Sequence, residues 1–287
     1  MNIKGTVCII GGAEDKGNGK DPQMEGRSSA FKRFDVLKQL LPSGGSRGRI
    51  EVITTATDEP KEMAKTYKDA FGKIGYHNVE FLNIEDKMQA RDPEIVKRIE
   101  KSHAVFFAGG DQFKLSTILG GTPPVSAIRE KYIHDPHFVI AGTSAGAMAM
   151  SKIMIYEGGV YEALLKKDLR ITSGLGIYDT CIIDTHFLKR GRFGRLAQAI
   201  VMNPETLGIG LGEDTVLVIR KGTEAECIGS GMVVVIDGNS ITQTNITDAD
   251  DDSPIYVENL KVHLLAKGTR FSIPERRIVK GSNGRKE

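Results

Sequence analysis

The pentapeptide Gly142-Thr143-Ser144-Ala145-Gly146 stands between the apolar run Phe138-Val139-Ile140 and a small-residue helical stretch, Ala147 to Met150. A serine in a G-x-S-x-G turn between strand and helix exposes its hydroxyl at a sheet edge, beside helix amides that can stabilise an oxyanion. Ser144 is therefore the candidate nucleophile, and the plainer alternative is a serine that merely caps a helix. A nucleophilic serine needs a base, and His77, His103, His134, His137, His186 and His263 compete for that role. His186 follows the apolar run Cys181-Ile182-Ile183 and Asp184. It thus lies at a strand end, where the functional groups of α/β sheets collect. Glu213, in the turn after Gly210-Leu211-Gly212, suits the acid that orients the imidazole. Asp184 and Asp214 remain rivals on spacing alone. The order serine, histidine, acid differs from that of the α/β-hydrolases, so the serine turn does not bring that fold with it.

Two further groups surround this constellation. Gly109-Gly110-Asp111-Gln112 ends another buried strand, and an amide of this turn at Gly110 would complete an oxyanion hole with the amide of Ala145, leaving Gln112 to touch substrate. Arg190, Arg192 and Arg195 follow His186 closely, and Arg192 and Arg195 are spaced to share one helix face. Guanidinium forks of this kind suit carboxylates. Two other patterns fail. Asp248, Asp250 and Asp252 start like a calcium loop, but Ser253 stands where glycine is needed and Asn259 where the bidentate glutamate belongs. Gly19-Lys20 is followed by Asp21, so the phosphate-loop spacing is missing.

The elements that must position these residues read as α/β. Strands at Val7 to Ile10, Ile50 to Thr54, Val79 to Leu82, Ala104 to Phe107 and Phe138 to Ile140 alternate with helical stretches. One helix is expected with Phe31, Val36, Leu37, Leu40 and Leu41 on its apolar face, others from Glu59 to Ile74 and Pro93 to Glu100. From about Thr215 the chain turns into apolar runs separated by Gly, Asn and Asp, at 216–219, 232–236 and 262–265, expected to extend the sheet as antiparallel strands. The end from Lys280 to Glu287 reads as frayed. No repeat or long linker divides the 287 residues, so a single domain, 1–287, is expected.

Composition narrows the partners. With 40% hydrophobic residues and 39 basic against 37 acidic side chains, the chain is globular and carries no field that calls for nucleic acid or a membrane surface. Cys8, Cys181 and Cys227 lie apart in apolar stretches and read as buried thiols. The amino-terminal run Val7 to Ile10 is too short for an export signal and no run spans a membrane, so a cytoplasmic location is expected.

Five motifs taken together, Ile9-Ile10-Gly11-Gly12-Ala13-Glu14-Asp15-Lys16, Gly109 to Gln112, Gly142 to Ala147, Asp184-Thr185-His186-Phe187 and Gly212 to Thr215, resemble in order and spacing the cyanophycinase family of serine peptidases, which also contains dipeptidase E. The resemblance runs over roughly residues 5 to 270. It implies an α/β three-layer sandwich with a mostly parallel central sheet, class I glutamine amidotransferase-like and flavodoxin-like, here with added antiparallel carboxyl-terminal strands. It implies hydrolysis of cyanophycin, a poly-aspartate backbone bearing arginine on each β-carboxyl, to β-Asp-Arg dipeptides, with no metal or cofactor. On that likeness Ser144 matches the nucleophile, His186 the base and Glu213 the acid. Gln112, Asp184, Thr185, Arg190, Arg192 and Arg195 fall on substrate-binding positions, and Thr185 stands where glutamine is common. Arginines would take the α-carboxylate of each substrate arginine and Asp184 its guanidinium. A homodimer is implied as well. Two other functions compete. An aspartyl dipeptidase-like exopeptidase would leave the arginine triplet without a purpose, and a non-catalytic binding module would make Ser144, His186 and Glu213 vestigial.

Overall fold

The computed structural model describes residues 3–17, 31–42, 48–159 and 164–279. The tail after Val279 and most of the Gly11 to Arg27 loop, with Gly19-Lys20, therefore lie outside the described residues.

In chain order the strands and helices are β1 (Thr6–Ile10), β2 (Ile50–Ile53), α1 (Pro60–Lys73), β3 (Val79–Leu82), α2 (Pro93–Glu100), β4 (Ala104–Phe107), α3 (Gln112–Leu119), α4 (Pro123–His134), β5 (Val139–Thr143) and α5 (Ala145–Ala149). The hairpin β6 (Ile153–Gly158) and β7 (Leu169–Ser173) follows, then β8 (Cys181–Asp184), α6 (Phe193–Met202), β9 (Leu207–Leu211), β10 (Thr215–Arg220), β11 (Glu224–Gly229) and β12 (Val233–Asp237). The chain closes with β13 (Gln243–Thr244), β14 (Val257–Glu258), β15 (Lys261–Leu265), β16 (Arg270–Ser272) and β17 (Arg277–Val279).

A nine-stranded sheet in the order β17-β16-β11-β10-β1-β5-β4-β2-β3 forms the centre. Its β1, β5, β4, β2 and β3 run parallel, as the alternation of strand and helix requires, and β10, β11, β16 and β17 continue it antiparallel. Both faces are covered, which explains the unbroken apolar strands. Side chains alternate by strand period: Cys8 and Ile10 of β1 pack with Val52, Phe106, Tyr67 and Phe71 on the face that α1 covers. Val7 and Ile9 pack on the other face with Phe107, Ile140, Ile128 and Leu115. The α/β layering read from the sequence is thus present. Cys8, Cys181 and Cys227 are buried free thiols, and burial pushes Cys8 and Cys227 up to about 12.

Three features depart from the sequence reading. The runs at 232–236 and 262–265 do not extend the central sheet. As β12 and β15 they pair with β9 and β8 in a separate four-stranded sheet, order β15-β12-β9-β8, with β8 and β9 parallel. Buried residues of this sheet, among them Ile182, Ile183, Ile209, Val233 and Val235, belong to the same core cluster as Val7 and Ile9. A short apolar run specifies that a strand is buried but not which sheet it joins. Second, the helix expected around Phe31 to Leu41 shrinks to a 3-10 turn at Leu37–Leu40. Phe34 adopts a left-handed φ of 58° and gives its amide to the Asp15 carboxylate at 3.1 Å, so no continuous helix can pass through it. Third, the hairpin of β6 and β7 is not among the strands read from the sequence.

Candidate active site

Ser144, His186 and Glu213 each sit just beyond the carboxyl end of a parallel strand: Ser144 after β5, His186 after β8 and Glu213 after β9. They therefore come from two different sheets. The junction is the end of β1. The amide of Ser144 donates to the Ile10 carbonyl at 3.1 Å, that of His186 to Gly11 at 2.9 Å and that of Asp214 to Gly12 at 2.9 Å. One short segment thus fixes all three turns by main-chain hydrogen bonds.

At the serine the chain reverses sharply, with Ser144 at φ 51° and ψ −119°. A non-glycine residue there is strained, and such strain collects where surrounding structure enforces it. Small neighbours make the turn possible: a Cβ on Gly146 would lie 2.2 Å from the carbonyl oxygen of Phe107. Behind the turn, buried Glu14 accepts hydrogen bonds from the hydroxyls of Thr143 at 2.7 Å and Tyr67 at 2.5 Å, and pairs with Lys16 at 3.0 Å. Burial alone would raise its pKa, but Lys16 and the two hydroxyls override this and hold it down to about 2. A fixed negative charge thereby anchors the residue preceding the serine.

The Ser144 hydroxyl lies 3.0 Å from His186 Nε2, and His186 Nδ1 lies 2.7 Å from Glu213 Oε1. Lys189 donates to Glu213 Oε2 at 3.2 Å. Burial lowers the His186 pKa, with Arg190 and Arg192 adding to that, against the opposing bond from Glu213. The imidazole is thus neutral at neutral pH and able to accept a proton. Burial would raise Glu213, but its bonds from His186 and Lys189 bring it below the usual carboxylate range. It stays ionised, able to stabilise an imidazolium. Asp214, a rival acid on spacing, instead accepts from the Asp15 amide at 2.9 Å and the Ser230 hydroxyl at 2.6 Å.

Sequence reasoning did not single out Gly12. Its φ is +95°, and a Cβ there would fall 2.4 Å from Cε1 and 2.5 Å from Nε2 of His186. The imidazole lies flat against bare backbone, and the only sequence signal was a glycine pair ending an apolar strand. Gly109 also borders Ser144, closely enough that an added Cβ would be 3.4 Å from Ser144 Cβ. Ala145 opens α5, so its amide is one of those a helix leaves unpaired at its start. Gly110 belongs to the turn that Gly109 begins. Gln112 does not point freely at this space: its side-chain amide donates to the carbonyls of Ile155 and Tyr156, both at 3.3 Å.

Asp184 and the arginines require a correction. Asp184 is fully buried, and its carboxylate takes Arg195 Nε at 2.6 Å, Arg195 Nη2 at 2.5 Å and Arg192 Nη1 at 3.1 Å. Arg192 also donates to the Thr185 carbonyl at 2.8 Å, and Arg195 to that of Gly158 at 3.3 Å. Asp184 is an internal counter-ion and has no place for a substrate guanidinium. Arg192 and Arg195 point inward to neutralise it, since a buried carboxylate persists only when paired. Thr185 is buried as well. Arg190 alone of the three remains exposed, without an ion-pair partner among the described residues.

A serine bonded to a neutral histidine, itself bonded to an ionised carboxylate, at the strand ends of a layered α/β fold is the arrangement of a serine hydrolase. Comparison with known proteins gives the lineage. Residues 23–227 match Peptidase family S51. Proteins named cyanophycinase from Nostoc sp. (strain PCC 7120) and Geminocystis herdmanii are each 34% identical, the first over 96% of this chain and 88% of its own length, the second over 94% of both. The cyanophycinase of Synechococcus elongatus is 32% identical over 94% of this chain and 80% of its own. The chain belongs to peptidase family S51, and it is a serine peptidase. A crystal structure of a peptidase from an acI-B1 actinobacterium, 21% identical, covers 94% of this chain and 98% of its own with a TM-score of 0.60, so the fold is shared as well.

Proposed function

We propose that this peptidase degrades cyanophycin, with Ser144, His186 and Glu213 as its catalytic triad. The Ser144 hydroxyl attacks a backbone carbonyl carbon of the polymer while His186 Nε2 takes its proton, and Glu213 steadies the imidazolium. The resulting oxyanion is met by the amides of Gly110 and Ala145. Collapse breaks the peptide bond, with His186 returning the proton to the leaving amine. Water, deprotonated by His186, then attacks the acyl-enzyme, frees the β-Asp-Arg product's carboxylate and restores Ser144. Arg190 offers its guanidinium to the α-carboxylate of a substrate arginine.

The observation that carries this reading is the unbroken relay from Ser144 through His186 to Glu213, in a chain so similar over its length to proteins named cyanophycinase. The test is incubation with insoluble cyanophycin and mass spectrometry of the soluble products, beside Ser144→Ala. β-Asp-Arg from the wild type alone supports the proposal. An undissolved suspension, with a fluorophosphonate still labelling Ser144, would remove cyanophycin and leave a serine peptidase of another specificity.

The same reading includes a homodimer, a cytoplasmic location, one domain over 1–287 and no nucleic-acid or membrane partner. Among the described residues no helix is long and apolar enough to cross a membrane. Light scattering on the eluted protein tests the dimer, and a single calorimetric unfolding transition the single domain.

A further inference from the structure

With Asp184 neutralised internally, a substrate guanidinium needs another acceptor, and an exposed carboxylate stands where β6 meets the start of α3, the helix that follows the Gly109–Gly110 turn bordering Ser144. Phe113, the second residue of α3, is half exposed and lies against Tyr156 of β6, ring centroids 5.4 Å apart at 33°. Glu157 follows on the same strand with its side chain 62% exposed. These residues are not on a loose loop. Gln112 ties the carbonyls of Ile155 and Tyr156 to the start of α3, and Arg195 holds Gly158, so the strand is fixed on both sides of Tyr156 and Glu157.

The chain itself displays the chemistry of this place. Arg170, opposite Glu157 on β7 and near the Tyr156 side chain, lies 3.4 Å from Glu157 Oε2, with its side chain 63% exposed. Such a solvent-exposed pair contributes little and is readily exchanged. Aromatic faces and a carboxylate together favour a planar cation, by stacking and by charge.

We propose that Phe113, Tyr156 and Glu157 form a guanidinium subsite that holds an arginine side chain of the polymer next to the bond being cut, with Arg170 occupying it in the free protein. The proposal rests on cyanophycin being the substrate. It makes recognition of the arginine branch a matter of displacing an internal guanidinium rather than filling an empty acidic pocket.

The experiment compares two short oligomers with the same poly-aspartate backbone, one carrying arginine and the other citrulline, which keeps the shape and loses the charge. Phe113→Leu, Tyr156→Leu and Glu157→Gln should each reduce the arginine-over-citrulline ratio of kcat/KM by roughly threefold to tenfold, mainly through KM. Arg170→Ala should do the opposite and lower KM for the arginine oligomer, a gain that misfolding cannot mimic. An unchanged ratio in the three variants, or a raised KM in Arg170→Ala, overturns the subsite. Should wild type cut neither oligomer while a fluorophosphonate labels Ser144, the substrate assignment itself falls and takes the subsite with it.

Discussion

The proton held between Ser144 and His186 sets the pH behaviour of the site. Because burial depresses the His186 pKa, the base is lost only as pH falls through a value below the usual imidazole figure of about 6.5. The acid limb of kcat/KM is therefore expected below that pH. In Glu213→Gln the carboxylate no longer favours the imidazolium, so the limb should move to still lower pH while the plateau drops by roughly 10³-fold. A limb that moves upward would mean that another group holds His186 Nδ1. Gly12 offers a separate test. An alanine there has no room beside Cε1 and Nε2, so the ring must swing away from Ser144. Gly12→Ala should lower kcat by at least about 100-fold and slow fluorophosphonate labelling in parallel, whereas unchanged labelling would show that the ring keeps its place.

At the scale of elements, the ends of β8 and α6 are joined by the Asp184, Arg192 and Arg195 cluster. Asp184→Ala leaves two guanidinium groups buried without their counter-ion and should destabilise the protein by about 3–5 kcal/mol in denaturant titrations. Arg190→Ala, by contrast, should raise KM for cyanophycin with little change in stability, and a loss of stability equal to that of Asp184→Ala would place Arg190 in the same internal cluster. This contrast marks where sequence reading stops. That Ser144, His186 and Glu213 gather in one place was legible because each is a polar residue at the end of an apolar strand, a local pattern, although spacing left Asp184 and Asp214 open as the acid. The roles of Asp184, Arg192 and Arg195 were not, because complementary charges that serve a substrate and those that neutralise one another look the same in a chain. Nor could the sequence assign β12 and β15 to a second sheet, since a short apolar run fits a strand of either sheet. The break at Phe34 came from a contact with distant Asp15, which helical periodicity does not record.

For the whole molecule, the proposed nucleophile, Ser144, rides on the central sheet and the proposed base and acid, His186 and Glu213, on the smaller one, so in this proposal catalysis depends on how the two sheets pack. Acid should expose part of that dependence through Glu14. Its folded pKa of about 2 lies below the unfolded value, so the stability it contributes is complete above about pH 4.5 and is lost as pH falls toward 2. Glu14→Gln should flatten this part of the stability profile in urea melts, and an unaltered slope would remove Glu14 as its source. The direction of β1 has a practical consequence for attaching the protein to a surface. That strand starts at Thr6 and reaches the site only at its other end, Ile10, about 13 Å away. A linker fused ahead of Ile3 would thus fasten the protein to a bead or electrode by the end remote from Ser144, leaving the candidate site turned outward toward the solution.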